Sequence, residues 1–223
     1  MIKAVIFDFD GLIIDTETPS YMAFKEIYQG YGIELLLPVY AQCIGTSFQL
    51  FNPYTYLSEQ VEVDMEEVRS KFKRDYALLL EQSELRPGVV EYLINARRLN
   101  LRIGLASSSS LSWIEPLLTR YKIAEYFDTV QTSDNVKNVK PDPELYIKAL
   151  EALEVERKQA ISFEDSLNGF KAAKAAGLNC VVVPNDVTRH FEFADYDLMI
   201  ESMADMDLEE LIENINVKNR LIN

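Results

Sequence analysis

The chain has 223 residues, with 22 Lys and Arg against 36 Asp and Glu, a net charge of −14, one histidine and two cysteines. That acidity argues against nucleic acid or an anionic membrane as the main partner, since phosphate-rich surfaces select cationic faces. His190, with Cys43 and Cys180 far apart in sequence, rules out a multi-histidine zinc or iron site. No Gly-x-Ser-x-Gly elbow supports a Ser-His-Asp triad resting on His190, which reads as a surface or loop residue.

No apolar run reaches the length of a membrane span, and the N-terminus enters a charged strand within eight residues instead of a signal peptide. A reduced, cytoplasmic setting is expected. Ala4 to Phe7 is a short run of apolar, β-branched and aromatic residues, the pattern of a fully buried strand. It ends in Asp8 and Asp10, with Gly11 directly after. Two acids at the mouth of a buried strand are costly, because desolvation penalises both charges. A hard divalent cation, for which carboxylates and carbonyls are the preferred ligands, removes that cost.

Thr18-Pro19 predicts a helix start, a capping hydroxyl followed by Pro at the first helical position. Met22, Ile27, Tyr28 and Tyr31 predict an amphipathic helix that ends at Gly32. A short helical piece over 38–44 stops at Gly45, and residues 46–56 are polar and aromatic, interrupted by Pro53. Asp64-x-x-Glu67 has the form of a capping box and opens a helix to Gln82. Residues 18–83 therefore read as all-helical.

From Arg86-Pro87-Gly88 the pattern changes. A helix over 89–99 leads to a strand over 101–106, which runs into Ser107 to Ser110. A helix over 112–121, a short strand over 128–131 and a loop carrying Lys140-Pro141 follow. A helix over 144–153 precedes a strand over 160–163 ending in Glu164-Asp165-Ser166. Then come a helix over 169–176, strands over 180–183 and 198–200, and an acidic helix over 206–215. Strands alternating with helices imply an α/β fold with a doubly wound parallel, Rossmann-like sheet. The expected division is a catalytic core of residues 1–16 and 84–223 with an inserted helical cap of residues 17–83.

In such a sheet the carboxyl ends of the strands share one edge, where ligands bind. Asp8, Asp10, Glu164 and Asp165, with Ser107 and Lys140, then converge from distant parts of the chain. Each has a plainer reading. One of Ser107 to Ser110 caps a helix, Lys140 is a solvated loop lysine, and Glu164-Asp165 complement a helix dipole. It is their coincidence at one edge that argues for a site.

These motifs resemble the haloacid dehalogenase-like superfamily over essentially the whole chain. Asp8-Phe-Asp10-Gly11, continued by Asp15-Thr16-Glu17, is similar to its first motif, Ser107 to the second, Lys140-Pro141 to the third and Glu164-Asp165-Ser166 to the fourth. The helical insert after the first motif resembles the β-phosphoglucomutase-like branch. The resemblance implies that Asp8 attacks a phosphate monoester to form an aspartyl-phosphate, and that Asp10 acts as general acid and then base. It implies that Ser107, Ser108 and Lys140 bind phosphoryl oxygens, and that Mg²⁺ is held by Asp8, Asp10 through its carbonyl, Glu164 and Asp165. Glu17, Thr46 and Ser47 are the candidates for contact with the rest of the substrate.

A phosphomutase of this branch holds a second phosphate with basic residues in the loop after Gly45. Here that loop reads Thr46-Ser47-Phe48-Gln49, and Ser20 stands where the mutase pattern tends to have histidine. Arg69, Lys71, Lys73 and Arg74 read as a solvated helix face. The expectation is a monomeric Mg²⁺-dependent phosphatase of a small phosphate monoester such as a sugar phosphate. The alternatives are a β-phosphoglucomutase-type mutase and a non-catalytic phospho-aspartate signalling or binding module.

Overall fold

The computed structural model describes residues 1–45 and 51–222, the side chains of 221 and 222 excepted. Its centre is β1 (Ala4–Phe7), buried at every position. On one side β1 pairs with β2 (Arg102–Ala106) and then β3 (Thr129–Gln131). On the other it pairs with β4 (Ala160–Glu164), β5 (Asn179–Val182) and β6 (Leu198–Met199), every pairing parallel. The order 3-2-1-4-5-6 reverses direction between β1 and β4, which makes the crevice above those two strands the switch point where ligands bind in such sheets.

The period of two along β1 sends its side chains alternately to the two faces of the sheet. Val5 and Phe7 join Ile103, Leu105, Ile161 and Phe163 beneath α5 (Val89–Arg98), α6 (Leu111–Arg120) and α9 (Leu208–Ile222). Ala4 and Ile6 face the opposite way, with Ala106 and Ala160, against α7 (Glu144–Leu153) and the Ala-rich α8 (Leu167–Ala176). Phe7 and Phe163 stack with centroids 4.9 Å apart, locking β1 to β4 directly below the acids they carry. Burying a residue of this size contributes about 1.5–3 kcal/mol.

Between β1 and α5 the described residues form only helices: α1 (Glu17–Gly30), α2 (Leu37–Tyr40), α3 (Pro53–Ser58) and α4 (Met65–Leu80), with a short 3₁₀ turn over Ala41–Cys43. They enclose their own core of Phe24, Ile27, Tyr28, Tyr40, Tyr54 and Leu57. This is the inserted helical cap.

Several local expectations are corrected. The helix expected at Thr18 begins at Glu17, and its first turn is capped by Asp15, whose Oδ1 accepts from the Thr18 N–H at 3.0 Å. Pro19 lies in that first turn, where a missing N–H costs nothing. Met22 is exposed, and the buried face is Ala23, Phe24, Ile27 and Tyr28. Pro53 opens α3 instead of interrupting the chain, because Asn52 Oδ1 caps the N–H groups of Tyr54 and Thr55.

Ser110 occupies the N-cap position of α6, yet the acceptor for the Leu111 N–H is Asp134, at 2.8 Å. Helix α8 starts two residues early, since Ser166 Oγ accepts from the Gly169 N–H. Helix α9 runs on to Ile222, tied down by Lys218, which donates to the carbonyls of Tyr196 and Asp197. His190 is exposed, as expected, and both cysteines are free and buried. No helix among the described residues is long and apolar enough to cross a membrane.

Candidate active site

The parallel sheet sends β1 and β4 out at the same edge, so Asp8 and the Glu164-Asp165 pair emerge side by side. Lys140 arrives between them from the loop after β3. Its Nζ donates to Asp8 Oδ1 at 2.6 Å and to Glu164 Oε1 at 2.7 Å, with about 1% of the side chain exposed. The solvated loop lysine is thereby excluded. Tyr146 from α7 donates its hydroxyl to the same Glu164 oxygen, and its ring centroid lies 5.2 Å from the Lys140 ammonium.

Asp165 is fully buried, and its Oδ2 accepts from Asn185 Nδ2 at 2.7 Å. Gly11 closes against it at φ +80°, where a side chain would be strained and its Cβ would fall 2.3 Å from Asp165 Oδ2. The turn at Gly11 is held from beneath by Arg86, whose guanidinium donates to the carbonyls of Gly11, Val183 and Pro184 at 2.7–3.0 Å. Arg86, Asn185 and Tyr146 escape the sequence reading, because no local pattern marks a residue whose partners lie so far along the chain.

The other wall of the crevice belongs to Asp10. Its Oδ2 accepts from Ser109 Oγ at 2.6 Å and from Ser107 Oγ at 3.4 Å, and its Oδ1 accepts from Trp113 Nε1 at 2.9 Å. Ser107 is buried, and its Oγ also accepts the Ser109 N–H. Ser108, expected beside a phosphate, lines the same crevice as Asp8 and Ser107, and its hydroxyl donates to the Gly45 carbonyl of the cap at 3.2 Å. Asn168 holds the Ile44 carbonyl in the same way, at 2.8 Å.

Between cap and core lies a cavity of about 350 Å³ that Asp8, Asp10, Glu17 and Ser107 line together. Glu17 is half-buried there, and burial beside Asp10, Asp8 and Asp15 pushes its carboxyl well above the usual range. Thr46 and Ser47 lie outside the described residues. Of the predicted cluster, the structure brings Asp8, Lys140, Glu164 and Asp165 together and sets Asp10, Ser107, Ser108 and Glu17 around the cavity.

The sequence model of the haloacid dehalogenase-like hydrolases matches residues 5–183. This chain belongs to that family. The chain is 45% identical over 221 residues to YhcW of Bacillus subtilis, a protein whose name assigns it provisionally to the phosphatases; the match covers 98% of this chain and 100% of YhcW. It is 32% identical to the phosphorylated carbohydrates phosphatase of Thermotoga maritima, over 79% of this chain and 82% of that protein. Among solved structures, CbbY from Rhodobacter sphaeroides in complex with phosphate superposes with a TM-score of 0.70 at 29% identity, covering 92% of this chain and 96% of that one.

The donor set of the buried cluster fits a hard divalent cation. Asp8, Glu164 and Asp165 each offer a carboxylate oxygen, all within 4.8 Å of one another. Glu164 Oε2 and Asp165 Oδ1 are buried and accept no hydrogen bond, a costly state that a cation would relieve. Three buried acids face one buried ammonium, so the cluster is short of positive charge. All its donors are oxygens, the set that Mg²⁺ takes, and no thiolate or imidazole is present.

Burial, reinforced by Asp8 and Glu164, pushes Asp165 well above the carboxylate range. Burial pushes Glu164 up to about 7, against the pull of Lys140. Acids whose pKa is raised on folding hold protons that the unfolded chain has lost, so the metal-free fold loses stability as pH rises from about 4.5 to about 7. A cation must displace those protons. Millimolar Mg²⁺ should therefore raise the unfolding temperature more at about pH 8 than at about pH 6. An equal rise at both, read by thermal unfolding, would exclude these acids as the ligands.

Glu164 keeps its place because α8 passes it at Gly169, where an added Cβ would lie 1.8–2.3 Å from the carboxyl atoms. Gly169→Ala should thus cost about 1–3 kcal/mol through overpacking and weaken any cation site. Differential scanning calorimetry with and without Mg²⁺ checks both effects.

Proposed function

We propose that this hydrolase is a Mg²⁺-dependent phosphatase of small phosphate monoesters, working through an aspartyl-phosphate on Asp8. The observation that carries the reading is the two-sided crevice at the switch point. Asp8 sits there with Lys140 and two acids bearing unpartnered oxygens on one side, and Asp10 on the other. Mg²⁺ held by Asp8, Asp165 and the Asp10 carbonyl, with Glu164 nearby, would supply the positive charge that lets a phosphate approach a carboxylate.

Lys140 binds one oxygen of Asp8 and leaves the other to attack phosphorus. As that bond forms, the bond to the ester oxygen breaks and Asp10 gives the departing oxygen its proton. A water molecule then attacks the same phosphorus, Asp10 takes its proton, and the Asp8 carboxylate leaves with inorganic phosphate as the product. Ser107 Oγ and Lys140 Nζ are the donors for the phosphoryl oxygens.

The cap belongs to the same reading, as residues 17–83 set on a core of residues 1–16 and 84–223. The two crossings between them are tied where Ser83 Oγ donates to the Asp15 carbonyl. A phosphatase is favoured over a mutase because the described lining of the cavity contains no Lys or Arg to hold a second phosphate. Arg69 lies over the Tyr54 ring, and Lys71 and Arg74 pair with Asp75. Serine, tyrosine and Glu17 in the lining suit a hydroxylated leaving group such as a sugar or polyol. Phosphate release from a panel of sugar and polyol monophosphates, with Mg²⁺ and with chelator, is the test. Mg²⁺-dependent release without hexose phosphate isomerisation is expected; isomerisation without release would establish the mutase instead.

A further inference from the structure

Trp113 touches both halves of the molecule. Its Nε1–H donates to Asp10 Oδ1 at 2.9 Å, and its ring stacks on Tyr76 of α4, with centroids 5.9 Å apart and planes 20° apart. Tyr76 stacks in turn on Phe72, at 5.3 Å and 13°, and Phe72 on Phe24, at 4.1 Å and 27°, inside the cap cluster. A continuous aromatic file thus runs from the centre of the cap to one carboxylate oxygen in the core.

The other donors to Asp10 behave differently. Ser109 and Ser107 sit on the loop that leaves β2, and their hydroxyls rotate to follow a carboxylate wherever it turns. An indole has one N–H, fixed in the ring plane, so the plane of the ring decides where the donor points. Hydrogen bonds weaken steeply off line; Trp113 is only partly buried against the core cluster, so the stacked Tyr76 completes the contact that keeps the ring from turning. Stacking of this kind adds to area burial and biases a side-chain orientation by several-fold.

We infer that Trp113 is a positioning residue that makes the orientation of Asp10 depend on the seating of the cap, with Tyr76 as the contact through which seating is felt. With Tyr76 against the indole, the N–H holds Oδ1 of Asp10 and the carboxyl keeps its face to the cavity. With Tyr76 withdrawn, the ring keeps only its contact with the core and turns more readily, and Asp10 is left to the two serine hydroxyls. The acid–base group is then aligned only while the cap shields the cavity from water. This inference rests on the role given to Asp10 above, but the coupling itself is readable without any activity.

Trp113 is the only tryptophan in the chain, so a ¹⁵N-labelled sample gives a single indole N–H resonance. In the unaltered protein that resonance should lie downfield, as a donor to a carboxylate does. Asp10→Ala should move it upfield. Tyr76→Leu should move it in the same direction and broaden it, whereas Tyr76→Phe, which keeps the stack, should leave it in place. In kinetics, Trp113→Phe should lower kcat about ten-fold with KM within about two-fold, the mark of a misaligned acid–base group. Tyr76→Leu added to Trp113→Phe should lower kcat little further.

An indole resonance that ignores Tyr76→Leu would overturn the coupling, whatever the enzyme does. Full kcat in Trp113→Phe, in a protein that releases phosphate, would overturn the positioning role. If no monoester is hydrolysed, the phosphatase reading fails by itself, and a resonance that responds to Tyr76→Leu still supports the link between cap and Asp10.

Discussion

Lys140→Ala should be among the most damaging single substitutions in this protein, costing about 3–5 kcal/mol of stability and abolishing phosphate release. The ammonium is almost wholly buried and is the shared partner of Asp8 and Glu164. Removing it leaves those carboxylates, with Asp165 beside them, facing each other in a site from which water is largely excluded. The two partners hold the lysine above its ordinary value of 10.5 in spite of burial. A lysine whose pKa is raised on folding contributes fully below its unfolded value and loses that contribution only as pH climbs through the folded value. The lysine's own charge is therefore constant across neutral pH, but Glu164, pushed up to about 7 even with Lys140 present, takes up a proton more readily without it, so the loss should grow as pH rises through neutrality.

Mg²⁺ gives a second reading of the same variant. If the damage is uncompensated negative charge, the cation should restore more of the unfolding temperature in Lys140→Ala than in the unaltered protein. If the damage were lost packing of the four-carbon stem, Mg²⁺ would rescue both proteins equally and Lys140→Met would recover stability without it. Thermal unfolding of the three proteins, with Mg²⁺ and with chelator, separates the two causes.

What the sequence makes legible here depends on how local each signal is. The run Ala4 to Phe7 followed by Asp8 and Asp10 is readable because a buried strand ending in acids is itself a conflict that needs a resolution. Lys140 was ambiguous locally and became decisive only through the topology, which places its loop over the ends of β1 and β4. The serines after β2 show the limit. Four in a row carry no mark of which one faces what, and the structure hands Ser109 to Asp10, Ser108 to Gly45 and the helix cap to Asp134. Trp113 and Arg86 carry no local mark either, since the groups their side chains donate to are 75 or more residues away. Asp15 and Asn52, by contrast, are ordinary caps: Asp15 stands three residues before the Thr18 chosen as cap, and Asn52 directly before the Pro53 read as an interruption, a matter of register and not of chemistry.

Asp8→Asn should lower kcat by a factor on the order of 10⁵ or more while leaving the fold intact. An amide has no charge to attack phosphorus, and the neighbouring acids cannot replace it. Glu164 is bound by Lys140 and Tyr146, Asp165 by Asn185, and Asp10 faces the cavity from the opposite wall. Stability should change little, because burial already penalises the charge on Asp8 and outweighs the pull of Lys140 on its pKa. A neutral group of the same shape gives up that charge, and the Lys140–Glu164 pair remains. Mg²⁺ should still bind, more weakly, since two of the three clustered acids are unchanged. Calorimetric titration with Mg²⁺, thermal unfolding and phosphate release on the same sample measure all three quantities. Loss of release together with loss of folding would make Asp8 a structural residue. Loss of release alone, with Mg²⁺ binding retained, is the pattern expected of the nucleophile. Release that persists would mean that the phosphate is attacked directly by water, and that Asp8 serves only to hold the cation.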